Sequence, residues 1–483
     1  MNTSETSSTT NASQVPLYID LDGTLLRSDM LLESVLVLLK SNPLYIFMLP
    51  VWLYQGKAYL KYMIASRVDI DVSTLPYHST FLDYLRAEAA SGRALYLASA
   101  STSKLVNKIA GYLGIFQGVL ASDEKLNLSG QKKLAAIEQH NKTSAFDYAG
   151  NSRVDMGVWV QARKAIVVNP NRGILNAVDK TGKLGAHFDD RKNTGLSVIK
   201  AIRVHQWLKN MLIFVPVLTA HQWHESNAVL QASLAVLAFS FTASSVYVLN
   251  DILDLAADRA HPRKCFRPFA SGDISIMHGL MMIPVLLVAG FFIAGQISTF
   301  FLLCLATYYA ITLAYSLRLK SVLVIDVIVL ACLYTIRIIA GMIAIDVPPS
   351  FWLIAFSMFI FFSLAILKRC AELNTASEHH KAEAWGRKYL VSDKNLLYVM
   401  GVTSGYIAVL VLALFIHTPD VAQRYSQPIG LWLLGPLVLF WVSYMWFKVW
   451  RGEQMDDPLV FAIMDRGSQL MLLASVVVIL LSI

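Results

Sequence analysis

The chain has 483 residues, 55% of them hydrophobic and 15% charged, against about 25% charged in soluble domains. That balance excludes a wholly soluble protein and leaves room for about two or three domains. The net charge of +8 matters through its placement, and the four cysteines (Cys265, Cys304, Cys332, Cys370) share no CxxC spacing and suggest neither a disulfide framework nor a zinc site. No nucleic-acid partner is expected. Residues 1–15, MNTSETSSTTNASQV, are rich in Ser and Thr, with Glu5 the one charge. They lack the basic and apolar regions of a signal peptide and read as a disordered tail on the cytosolic side.

Next comes VPLYIDLDGTLL (Val15–Leu26), an apolar strand ending in DxDGT. Asp20, at the carboxyl end of such a strand, can attack phosphorus. Asp22 can protonate the leaving oxygen and later activate water, and Gly23 permits the turn between them. The motif resembles the opening signature of the haloacid dehalogenase (HAD) superfamily. ALYLASAS (Ala94–Ser101), NLSGQKKLAAI (Asn127–Ile137) and FDYAGNSRVD (Phe146–Asp155) follow in that family's order. The resemblance covers about residues 15–175 and implies a doubly wound parallel α/β sheet with its site at the strand carboxyl ends. It also implies Ser99 as a donor to phosphate oxygen, Lys133 (alternatively Lys132) as the cation, and Asp20, Asp22, Asn151 and Asp155 around Mg2+. Asn151 stands where the family commonly has an acid, which leaves Asp155 the firmer ligand.

An insert at about 28–80 occupies the cap position of that family. Its apolar runs MLLESVLVLLK and YIFMLPVWLYQGKAYL, broken at Ser41-Asn42-Pro43, are too short to span a bilayer singly. Two readings stand: a helical cap packed on its own core, or a cap that rests on the bilayer and admits a lipid-linked phosphate. A polar linker, GAHFDDRKNTGLSVIK, follows. The divisions are therefore an α/β domain over 16–185, a linker over 186–200 and an all-α membrane domain over 201–483.

Nine candidate spans lie near 208–220, 228–249, 276–295, 297–316, 322–344, 350–367, 398–417, 428–447 and 468–483. Loops after the even spans carry fifteen Lys and Arg, among them Lys381 and Arg387; loops after the odd spans carry Arg424 alone. By the positive-inside rule the even loops and the N-terminal region face the cytoplasm, as in a bacterial inner membrane.

The stretch NDILDLAADRAHPRKCFRPF (Asn250–Phe269) sits at the end of the second span. Asn250, Asp254 and Asp258 recur every four residues, and Asp251 is three before Asp254, so a helix puts all four on one face. Carboxylates so placed repel unless a divalent cation bridges them to phosphate; the alternative is a solvated acidic helix end. Arg263, Lys264 and Arg267 follow and can take phosphate oxygens. A second loop, YSLRLKSVLVID, adds Arg318, Lys320 and Asp326. Arg337 lies inside the fifth span, where an unpaired charge is expensive, so an anion or carboxylate is expected beside it.

NDxxDxxxD followed by RPFASG resembles the first signature of the UbiA superfamily of intramembrane prenyltransferases, which implies nine helices around a lipid-open cavity and aspartates holding Mg2+ on a diphosphate. The second acidic loop of aromatic-acceptor members is reduced here to Asp326, beside Ser316, Arg318 and Lys320. The chain is instead similar, over about 196–483, to the decaprenyl-phosphate phosphoribosyltransferase branch, through IRVHQWLKN, YSLRLKSVLVIDV, IRIIAG, LKRCAEL and DDPLVFAIMDR. That resemblance implies transfer of ribose 5-phosphate from phosphoribosyl diphosphate (PRPP) to a membrane polyprenyl phosphate. Mg2+ would sit on Asn250, Asp251, Asp254 and Asp258, with Lys209, Arg267, Arg318, Lys320, Arg337, Lys368 and Arg369 among the substrate ligands. The HAD-like part would then remove the 5-phosphate. The rival is an aromatic prenyltransferase using a prenyl diphosphate, which the sparse second loop disfavours.

Overall fold

The structure, a computed structural model, describes residues 15–142, 145–378, 388–418, 421, 425–453, 455 and 457–483. Residues 1–14 of the expected tail, and Lys381, Arg387, Arg424 and Asp456, lie outside the described residues, while Val15 is buried. The chain forms two compact units. One joins Met1–Ile202 with Tyr247–Met282; the other joins Arg203–Val246 with Ile283–Ile483.

The first unit holds a parallel six-stranded sheet in the order β3-β2-β1-β4-β5-β6, with β1 Leu17–Ile19, β2 Leu95–Thr102, β3 Gly118–Ser122, β4 Asp147–Gly150, β5 Ala165–Val168 and β6 Leu184–Phe188. Strands β1, β4 and β5 are buried throughout, as a sheet covered on both faces requires. Leu17 and Ile19 enter one core with Leu97 and Leu85, while Tyr18 enters the opposite core with Tyr148 and Trp159; this is the strand's twofold alternation. The sixth strand takes in residues that the sequence assigns to the linker, so the linker reading is corrected there. Because β1 pairs with both β2 and β4, the strand order reverses at β1, and a crevice opens at its carboxyl end.

The cap begins with the helix Met30–Ser41, capped by the Asp29 carboxylate accepting from Leu31 N and Leu32 N. A 3-10 turn Pro43–Phe47 and the helices Met48–Tyr54 and Lys57–Arg67 follow. Leu38, Trp52 and Ile64 reach the core. Most of Pro43–Tyr54 does not: packing on the cap's own core accounts for the first and last helices and, between them, for Trp52 with Tyr45 and Leu49 against it.

In the membrane part, seven helices are long and apolar enough to span: Ser226–Leu253, Ile276–Ile297, Thr299–Leu317, Ile325–Ala344, Phe351–Thr375, Val391–Ile416 and Pro428–Trp450. Pro458–Met464 and Arg466–Ser482 form a pair bent by 80° that makes an eighth if counted as one. The expected nine spans are thereby corrected among the described residues. The stretch 208–220 is no long helix but the 3-10 helix Val204–Phe214 and the short helix Val215–Thr219, with polar Lys209 and Asn210 turned into protein. Gly401 lets its helix approach another closely, since a Cβ there would strike the Trp446 ring.

Candidate functional site

At the head of β1, Asp20 and Asp22 take different surroundings. Asp20 Oδ1 accepts from Leu21 N at 2.9 Å and faces Lys133 Nζ at 2.8 Å. Asp22 accepts from Met30 N and Ser101 Oγ, both at 2.8 Å. Gly23 adopts φ +76°, and a Cβ there would strike the Asn151 amide, so the DGT turn needs glycine twice over. Burial pushes Asp20 up to about 6, opposed by Lys133; burial, reinforced by the Asp29 charge, pushes Asp22 up to about 7. Both acids are raised, Asp20 with a cation against it and Asp22, among the described residues, without one; two carboxyl groups in unlike surroundings are what a nucleophile and a general acid need.

Ser99 is buried and its Oγ accepts from Ser101 N at 3.0 Å. Its own proton is left to give, while Ser101, which the sequence reading missed, is the serine that touches Asp22. Lys133 is buried and Lys132 exposed, which selects between the two. Asp155 is held by its own loop. Its carboxylate accepts from Tyr148 Oη at 2.7 Å, Ser152 N and Oγ at 2.9 Å each, and Asn151 N at 3.2 Å, so it organises the loop and braces Lys133 through Tyr148. Among the described residues no three acidic, histidine or cysteine groups could hold a metal. In the sets Asp20, Asp22, Asn151, Asp155 and Asn250, Asp251, Asp254, Asp258, the cations Lys133 and Arg267 stand among the carboxylates.

Lys61, on the last cap helix, was also missed. Its Nζ donates to Ala100 O at 2.7 Å and to Asn127 Oδ1 at 3.1 Å. Burial lowers its pKa against the pull of Asp22, Asp29 and Asp20, so it contributes positive charge to the acid pair from the cap side.

The raised acid carries a stability consequence. The folded Asp22 binds its proton up to about pH 7, the unfolded one only to about 3.9. Its contribution is therefore favourable at low pH and lost as pH rises through that window. In chelator at pH 8, Asp22→Asn is expected to stabilise the protein by on the order of 2 kcal/mol, and not at pH 4; denaturant titrations at both pH values check this.

The acidic stretch after Ser226–Leu253 also departs from the single-face expectation. Asp251 and Asp258 are buried and converge on one nitrogen, Arg267 Nη1, at 3.0 and 2.6 Å. Asp254, at a break before the short helix Leu255–Arg259, instead faces Lys40 at 3.6 Å. Asn250 is half-buried. Arg263 and Lys264 are exposed, their backbone N–H groups turned to His261 Nδ1.

A second cluster lies inside the membrane unit. Arg337 is buried; its Nε donates to Asn210 Oδ1 at 2.9 Å, Nη2 to Tyr308 Oη at 3.0 Å and Nη1 to Leu333 O. No carboxylate pairs with it among the described residues. Asn210 in turn donates to Ser240 Oγ at 2.9 Å. Lys209 pairs with Asp457, which also accepts from Tyr334 Oη at 3.3 Å. Lys368 lies within electrostatic reach of both Lys209 and Asp457. Asn210 and Asp457 sit in the motifs IRVHQWLKN and DDPLVFAIMDR, so a signal for them existed; for Tyr308 and Tyr334 none did. Arg318 is exposed and Lys320 half-buried.

Asp326 and Arg369, expected as substrate ligands, pair with each other. Arg369 Nε donates to Asp326 Oδ2 at 2.7 Å; Tyr389 Oη donates to Asp326 Oδ1 at 2.6 Å; Glu372 takes a further guanidinium nitrogen. Both partners are almost wholly buried. Asp326→Asn removes the buried one of Arg369's two carboxylate partners and leaves Glu372; it is expected to cost about 3 kcal/mol, read as a lowered melting temperature in detergent.

Long apolar helices enclosing a polar, cationic interior define an integral membrane protein. The UbiA prenyltransferase family model matches residues 211–475, and the chain belongs to that family. A Sinorhizobium fredii protein described as uncharacterized protein y4nM is 34% identical over 458 residues, covering 94% of this chain and 88% of its own; so wide a match takes in the α/β part as well. Nodulation protein NoeC of Azorhizobium caulinodans is 36% identical over 275 residues, 56% of this chain and 89% of NoeC. Decaprenyl-phosphate phosphoribosyltransferase of Mycolicibacterium smegmatis is 30% identical over 292 residues, 59% of this chain and 91% of that enzyme.

Proposed function

We propose that the chain transfers 5-phosphoribosyl from PRPP to the phosphate of a membrane polyprenol, and that its α/β unit, acting as a HAD-type phosphatase, then removes the 5-phosphate. Both reactions belong to the cytoplasmic side of the membrane. The name of the Mycolicibacterium relative supports the first step. The observation that carries it is Arg337: a buried guanidinium inside a span, held by neutral partners and without a carboxylate among the described residues. Such a charge calls for an anion. The phosphate of a lipid acceptor meets that need.

A lipid monophosphate is already a nucleophile, so no general base is required. Its oxygen attacks C1 of the ribose, the C1–O bond to diphosphate breaks, and diphosphate leaves. Lys209, Arg337 and Lys368 hold the attacking phosphate. Asp251 and Asp258 bring two hard oxygen donors to one point, the number Mg2+ commonly takes from protein when phosphates complete its shell. Bound there, Mg2+ would neutralise charge developing on the diphosphate. Arg267, half-exposed, can exchange a carboxylate for a phosphate oxygen. In the α/β unit, Asp20 attacks phosphorus of the 5-phosphate, the P–O bond to the ribose breaks, and Asp22 protonates the departing oxygen, which leaves as a hydroxyl; Asp22 then takes a proton from the water that releases phosphate from Asp20. Lys133 steadies Asp20, and Asp20 with Asp22 are the donors left for a metal there.

Protein in proteoliposomes given PRPP and polyprenyl phosphate is expected to release diphosphate only when both are present. Consumption of a prenyl diphosphate with an aromatic acceptor instead would refute the reading.

A further inference from the structure

The cap segment Pro43–Tyr54 carries no charge and is flanked by Lys40 and Lys57. Its 3-10 turn buries no residue and its helix buries Trp52 alone. Leu44, Ile46, Phe47, Val51, Leu53 and Tyr54 are exposed, Phe47 to 73% and Tyr54 to 94%. A contiguous apolar patch of this kind marks an interaction surface.

Two observations decide what covers it. Lys40 Nζ donates to Leu253 O at 3.2 Å, and Leu253 is the last residue of the spanning helix Ser226–Leu253. The apolar segment therefore starts three residues from the mouth of a membrane span. Second, exposed Phe47 and Tyr54 between flanking lysines are the composition of a membrane-interface element. Twelve residues reach about 18 Å as helix, short of the roughly 30 Å hydrocarbon core, so the segment lies in the interface and does not cross.

We infer that Pro43–Tyr54 is seated in the lipid interface and that the phosphatase half draws a lipid-anchored phosphomonoester from the bilayer. The substrate part of this inference rests on the function proposed above; the location does not. The next helix, Lys57–Arg67, carries Lys61 to Ala100 O and Asn127, within electrostatic reach of Asp20 and Asp22. One turn of chain thus joins the membrane-seated segment to a cation suited to the incoming phosphate.

The test uses the full chain in phosphatidylcholine–phosphatidylglycerol vesicles, with a fluorescent amino acid encoded in place of Phe47. Quenching by doxyl-labelled lipid chains together with protection from aqueous iodide is the expected result. Quenching by iodide overturns the inference. Shielding from both quenchers also overturns it, because a protein partner then covers the patch. In a second arm, Phe47→Asp combined with Val51→Asp alters exposed positions only. It is expected to lower kcat/KM on the lipid-linked phosphomonoester at least tenfold and leave p-nitrophenyl phosphate hydrolysis unchanged. Equal loss on both substrates overturns the delivery role. If the unaltered protein hydrolyses neither, the phosphatase reading fails and the quenching arm still decides the location.

Discussion

Asp251→Asn is expected to lower phosphoribosyl transfer by at least about a hundredfold, the scale on which removal of one fixed electrostatic partner of a transition state acts. Asp251 is buried, and its Oδ1 meets the same Arg267 nitrogen as Asp258. Asparagine keeps its shape and leaves Arg267 held by Asp258, so the fold survives while the convergent charge is halved. Asp254 provides the contrast. It is 38% exposed and turned toward Lys40, so Asp254→Asn should cost about tenfold or less. Transfer of label from PRPP to lipid measures both. Equal losses would mean that the four-residue acidic face, and not the Asp251–Asp258 pair, acts as the unit.

The second large effect separates the two halves of the molecule. Asp20→Asn is expected to abolish phosphate release, by at least about a thousandfold, while diphosphate release continues at the unaltered rate. Asp20 is pushed up to about 6 by burial despite Lys133, so the neutral amide removes a charge that the folded state holds at a cost, and Lys133 keeps Asp155 at 3.8 Å and Tyr148 Oη at 2.9 Å. Loss of activity through unfolding is not expected. The lipid should accumulate with its 5-phosphate intact. Phosphate release unchanged in this variant would remove the α/β unit from the pathway.

Much of this arrangement was legible in the chain because it is local. An apolar run ending in DxDGT places two acids two residues apart wherever it folds, and long uncharged runs separated by basic loops announce membrane helices. What could not be read depends on partners far apart in sequence. Arg337 was expected beside a carboxylate or anion and is held by Asn210 and Tyr308, distant in sequence. Asp326 and Arg369 read as ligands because each is charged near a membrane; their contact with each other and with Tyr389 is visible only once two helices and the irregular stretch at Tyr389 meet. Periodicity put four acidic-stretch residues on one face, but the break at Asp254 turns that carboxylate toward the cap. The first expected span failed because apolar content does not reveal that Lys209 and Asn210 need an irregular, inward-turned segment. Lys61 carried no signal in a run read only for its hydropathy.

The most direct measurement is the mass of the lipid formed when the purified protein meets PRPP and polyprenyl phosphate. The expected result is an added phosphoribosyl group that gives way with time to an added ribosyl group, and that stays phosphoribosyl in Asp20→Asn. An unmodified lipid, with PRPP untouched or merely hydrolysed, would contradict it.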